Sequence, residues 1–208
     1  MSSDISANNH LKLSQLFYYL QDISLELQAD FAILSLVEAT LQKRGLKTFV
    51  EFEGLITTTI KKGDPNVINT MSKVAFHNII LNICRFTEAV QKSGSGKLLK
   101  EFCPDTQKRF QKFISEYYTV DVKKYRDSYA VHPIDEKTGN FTSRTQLISL
   151  CEKIVKIDSL YKADISDFIR LLKRMHHTEV TDPDLSLAWA IHAMGPELEK
   201  NDVKLKRA

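Results

Sequence analysis

A chain of 208 residues, 43% hydrophobic and 26% charged, has the composition of an ordinary soluble globular protein and enough length to bury a core without covalent staples. Three cysteines with no close pair exclude a disulfide framework and leave Cys84, Cys103 and Cys151 as core thiols, while a net charge of +3 excludes a protein whose overall field alone would draw nucleic acid. The opening MSSDISANNH lacks a basic start followed by an apolar run, so neither a secretion signal nor a membrane anchor is expected, and a cytoplasmic location is inferred.

Apolar residues recur in steps of three or four from Leu13 through Leu16, Leu20, Ile23, Leu27, Phe31, Leu34 and Val37 to Leu41. This spacing predicts one long amphipathic helix stopping near Gly45, after the cations Lys43 and Arg44. A second helix is expected over about 46–61, weakened by the threonines 57–59, whose branched side chains lose freedom in a helix. Gly63-Asp64-Pro65 marks a boundary, with Asp64 able to cap a helix whose first turn holds Pro65. Val67, Met71, Ala75, Ile79, Ile83, Phe86 and Val90 form the next buried stripe, and Ser93-Gly94-Ser95-Gly96 reads as a linker. Leu98, Leu99 and Phe102 make a short helical piece interrupted at Pro104, followed by Phe110, Phe113, Ile114 and Tyr117. Asp121 is expected to cap a helix burying Val122, Tyr125 and Tyr129 and ending at His132, because Pro133 disfavours helical geometry at the residue before it. After a polar loop over 133–140, Leu147 to Met175 reads as one last long helix, and Asp182-Pro183 opens a C-terminal helix or tail ending in a frayed KNDVKLKRA. No useful stretch alternates with period two and no repeat is visible. The expectation is an all-α bundle of about five to six helices forming a single domain over 1–208, with a core at about 65–175, N-terminal helices 11–61 packed on it and a C-terminal element at 183–208.

Charge is unevenly spread. Between Lys97 and Arg126, eight basic residues face four acidic ones, a local excess that a solvated helix face would also explain. At its end, KYRDSYAVHP carries Arg126 and His132 with five residues between them. Residues six apart on an ideal helix point about 120° away from each other, so the two meet only if the helix end distorts or a two-fold axis pairs two copies. A histidine can take the proton of a ribose 2′-hydroxyl near neutral pH, and an arginine fork can hold the phosphate it attacks, with no metal required. A capping histidine beside a surface arginine accounts for the same spacing.

In an all-α chain, RDSYAVH at a helix end resembles the signature of the HEPN superfamily: arginine, a polar residue (here Asp127), variable positions, then histidine. Its spacing is most similar to the abortive-infection, AbiU-like branch, and Arg85-Phe86-Thr87-Glu88 within ICRFTEAV is compatible with an arginine-bearing turn on an earlier helix of that branch. The resemblance implies a helical homodimer with two Arg-His segments facing across a cleft, cutting RNA without a metal and leaving a cyclic phosphate. It assigns Arg126 and His132 as the active pair and Asp127 as the group that orients one of them, with Arg85, Lys123, Lys124 and Tyr129 as RNA contacts. It also implies a toxin or antiphage effector with an antitoxin or immunity protein as partner. In toxin relatives modified by a nucleotidyltransferase, a tyrosine follows the histidine by two positions; Ile134 stands there, so that regulation is not expected.

Other features point elsewhere. His176-His177 with His192 lack a carboxylate or cysteine at ligand spacing, so no metal or other cofactor is expected. Gly94-Ser95-Gly96-Lys97 lacks the full pattern of a phosphate loop. The aromatics Phe110, Phe113, Tyr117, Tyr118, Tyr125 and Tyr129 fit core packing, with base stacking the alternative for Tyr118 and Tyr129. The rival to a ribonuclease is a non-catalytic helical module that binds a protein or nucleic acid.

Overall fold

The computed structural model describes residues 2–43, 65–92, 94–128, 143–159, 165–176 and 185–205. Among them the regular elements are eight α-helices, with no strand: α1 (Ser2–Lys43), α2 (Pro65–Gln91), α3 (Ser95–Phe102), α4 (Pro104–Tyr117), α5 (Val120–Arg126), α6 (Arg144–Val155), α7 (Ile165–His176) and α8 (Leu187–Lys200). The all-α expectation is met, with more helices than the five or six expected. The expected helix at 46–61, the loop at 133–140, and the residues Gly45, Asp64, Tyr129 and His132 lie outside the described residues.

The chain divides into two compact units, one formed by residues 1–27, 82–118 and 173–208 and the other by 28–81 and 119–172. In the first unit α3 and α8 pack on α4. Phe86 is fully buried with its ring 5.1 Å from those of both Phe110 and Phe113 in edge-on contact, the geometry aromatic quadrupoles prefer. Polar ties close the unit: the Thr106 amide donates to the Glu197 carboxylate at 3.2 Å, and the Tyr117 hydroxyl donates to the Arg174 carbonyl at 3.0 Å. In the second unit α5 packs on α6. Phe76, Ile79, Val122, Tyr125, Ile148, Cys151 and Phe168 are buried there. All three cysteines are free and buried, as composition led us to expect.

Four local expectations are corrected. Of the expected linker Ser93–Gly96, Ser93 lies outside the described residues, Gly94 turns with a positive φ of 79°, open to glycine at little cost, and Ser95 and Gly96 already belong to α3. Thr119, rather than Asp121, caps α5, its hydroxyl accepting from the Val122 amide at 3.3 Å. The expected long helix from 147 to 175 is two: Lys156 turns left-handed at φ 64°, and the Ile157 amide bonds back to the Glu152 carbonyl, closing α6. The C-terminal residues are not simply frayed: Val203 is buried and its amide donates to the Leu198 carbonyl behind the end of α8. α8 is capped by Ser186, whose hydroxyl accepts from the Trp189 amide.

Candidate nucleic-acid site at the end of α5

α5 is short, and its sequence explains its posture. Val122 and Tyr125 fall three residues apart on one face and are both buried, which leaves Lys123 and Lys124 exposed on the other side. Arg126 follows as the last residue of the helix, and residues 127 and 128 continue in a wider, π-type turn. Such widened turns recur where a helix redirects functional side chains. The Asp127 amide is shared between the carbonyls of Lys123 and Lys124.

Arg126 and Asp127 are brought together. The Arg126 Nε donates to Asp127 Oδ1 at 2.8 Å and its Nη2 lies 2.7 Å from the same oxygen. The Arg126 side chain is only 18% exposed, against 40% for Asp127, so the guanidinium is largely removed from water while its carboxylate neighbour remains wetter. A planar guanidinium fixed along one edge in this way has lost much of the rotational freedom it would otherwise surrender on meeting a phosphate.

Arg85 belongs to the other unit. Its Nη1 meets Glu26 Oε2 at 2.6 Å and Asn82 Oδ1 at 3.0 Å, its Nε donates to the Tyr19 hydroxyl at 3.2 Å, and its guanidinium carbon stands 5.5 Å above the Tyr19 ring. The Tyr19 hydroxyl, followed by Glu26, holds its pKa above the ordinary value although burial opposes them. Tyr19 also lines an open groove of about 360 Å³ together with Lys12, Leu16, Lys92 and Leu98.

Tyr125 brings in a residue that spacing did not single out. Its buried hydroxyl lies 2.9 Å from Nδ1 of His77 on α2, with Phe76 edge-on to the Tyr125 ring at 5.2 Å and to Phe168 at 5.4 Å. The available signal was indirect: a buried phenol needs a polar partner, and His77 sits two residues from both Ala75 and Ile79 of the α2 stripe. Of the aromatic candidates, Phe110, Phe113, Tyr117 and Tyr125 are core residues and Tyr118 is half-buried. Of the paired histidines, His176 contacts the Ser24 hydroxyl through Nε2 at 2.7 Å and His192 packs edge-on to the 40% exposed Trp189, while His177 lies outside the described residues. Among the described residues no three metal-ligating side chains cluster, and no helix is long and apolar enough to cross a membrane.

Together these features define an all-α protein with an arginine-carboxylate pair and two exposed lysines at the end of a short helix. Residues 8–160 match the family described as HEPN-like integron domain, and the chain belongs to that family. No curated protein and no solved structure matches it.

Proposed function

We propose that the protein is a metal-independent endoribonuclease of HEPN type, acting as a homodimer and serving as a toxin or antiphage effector of the AbiU-like kind, restrained by an antitoxin or immunity protein. The observation that carries the reading is Arg126, largely shielded from water and fastened to Asp127 at a helix end, in a chain of the HEPN-like integron family. In this scheme residues 1–208 act as one domain around a core at about 65–175, in the cytoplasm. His132 takes the 2′-hydroxyl proton, the freed oxygen attacks the neighbouring phosphorus, and the bond to the 5′-oxygen breaks as the cyclic phosphate forms, the leaving oxygen taking a proton from water and His132 later releasing its own to solvent. Arg126 neutralises charge on the phosphate oxygens, and Asp127 holds the guanidinium in plane for that contact. Lys123 and Lys124, exposed on α5, bind the RNA backbone, with Tyr129 and Arg85 as further contacts.

The test is cleavage of a mixed RNA pool by the purified protein in excess chelator, beside Arg126→Ala and His132→Ala variants shown to be folded. Cleavage in the parent that both variants lose by about a hundredfold or more supports the reading. Unchanged cleavage in either variant sinks it. The rival, a binding module without catalysis, is favoured by the groove that Tyr19 lines, where Lys12, Lys92 and Glu88 offer charge beside an aromatic ring. Salt-sensitive RNA binding with no cleavage would decide for it.

A further inference from the structure

The geometry points to His77 as a positioning residue for the Arg126 site, acting through the buried hydroxyl of Tyr125. This inference rests on the ribonuclease reading for its functional meaning and on the second unit alone for its structure.

α5 has seven residues, too few to hold its own direction, and its buried anchors are Val122 and Tyr125. Val122 supplies apolar contact that resists sliding and rotation only weakly. Tyr125 is different. Its ring is clasped edge-on by Phe76, and its hydroxyl meets His77 Nδ1 at 2.9 Å, so the side chain is fixed in two directions from α2. The His77 ring also lies 5.6 Å from the Tyr125 ring, tilted by 32°, so the imidazole covers the phenol as well as bonding it. Arg126 is the next residue along the chain, and the widened turn at 127–128 begins directly after it. Whatever fixes the Tyr125 Cα therefore fixes the origin of the Arg126 side chain to within one peptide unit. A shift of about an ångström there is enough to misplace a charge-stabilising group.

His77 can play this part in either hydrogen-bonding sense. The phenol donates to a lone pair on Nδ1, or an Nδ1 proton is donated to the phenol oxygen. An asparagine at 77 places an amide near the position of Nδ1 and can also do either; a phenylalanine fills the space and can do neither.

Two readouts on folded protein test the proposal: kcat and KM for metal-free RNA cleavage, and solvent exchange of the Arg126 Nε–H followed by nitrogen-15 NMR. His77→Phe and Tyr125→Phe are each expected to lower kcat about tenfold with KM little changed, and to speed Arg126 Nε–H exchange about tenfold. His77→Asn should restore most of both. The two Phe variants combined should cost no more than one, since they break the same bond. Lower thermal stability with kcat and exchange unchanged would overturn the proposal and leave a purely structural tie. If the parent does not cleave RNA, exchange still decides: faster exchange in His77→Phe, restored by Asn, keeps the positioning role while the ribonuclease reading falls. Should His77→Phe fail to fold, Tyr125→Phe, which removes one oxygen, carries the test.

Discussion

Arg85 and Arg126 each follow or precede an aromatic anchor, yet the two anchors are held by different means. Beside Arg85 stands Phe86, wholly apolar and locked by Phe110 and Phe113, while the guanidinium itself reaches Glu26 and Tyr19, residues far away in sequence. Beside Arg126 stands Tyr125, whose hydroxyl carries the long-range bond to His77, while the guanidinium takes its own neighbour Asp127. In the first unit the charge itself ties distant segments and its anchor is packed among rings; in the second the anchor carries a long-range bond, and the charge meets its chain neighbour. Glu26 and Tyr19 come to Arg85 from distant parts of the chain, whereas Asp127, adjacent in sequence, stays beside Arg126 wherever that side chain goes.

The contrast can be broken at several points. Phe86→Ala should cost about 3–5 kcal/mol in denaturant unfolding, the usual loss for a fully buried ring, because three rings share that contact. Arg126→Lys should lower metal-free cleavage about a hundredfold in single-turnover assays, since a lysine cannot present a planar fork; equal activity would remove the distinction between the two arginines. Burial pushes the Cys103 thiol up from 9.0 to about 12, helped by the charge of Glu197. Its stabilising effect is complete below pH 9 and is lost as pH rises towards 12, at about 1 kcal/mol per pH unit. Melting curves of the parent should fall across that window more steeply than those of Cys103→Ala. Arg85→Gln should cost under about 1 kcal/mol in denaturant unfolding, because the pair with Glu26 is exposed to solvent. The smallest effect expected is a gain: a Cβ on Gly195 would meet the Phe17 ring at 3.7 Å, an ordinary contact, so Gly195→Ala should stabilise α8 by about 0.5 kcal/mol.

The helices were legible where one force dominated. The stripe from Leu13 to Val37 predicted α1 because burial alone sets that spacing, and Pro65 marked the start of α2 because its ring leaves few alternatives. Where two local forces competed, the sequence was ambiguous. Thr119 and Asp121 can both cap, and Thr119 won because Asp121 falls inside the first turn. The apolar spacing across 147–175 ran unbroken through a left-handed turn at Lys156, since periodicity records which side chains are buried and not whether the backbone between them stays helical. At the candidate site, Arg126 and Asp127 are chain neighbours and could be read from the motif. His77 stands 48 residues from Tyr125, and the bond between them belongs to the fold.

The buried thiols give each unit its own clock. Cys84 and Cys103 belong to the first unit and Cys151 to the second, and burial raises the pKa of both Cys103 and Cys151, so neither offers a reactive thiolate near neutral pH while its unit is closed. A thiol reagent can therefore modify them only during an opening event, and the mass of each labelled peptide records which unit opened. The ratio of labelling at Cys103 to that at Cys151 compares how often the two units open, in the unaltered protein and under native conditions.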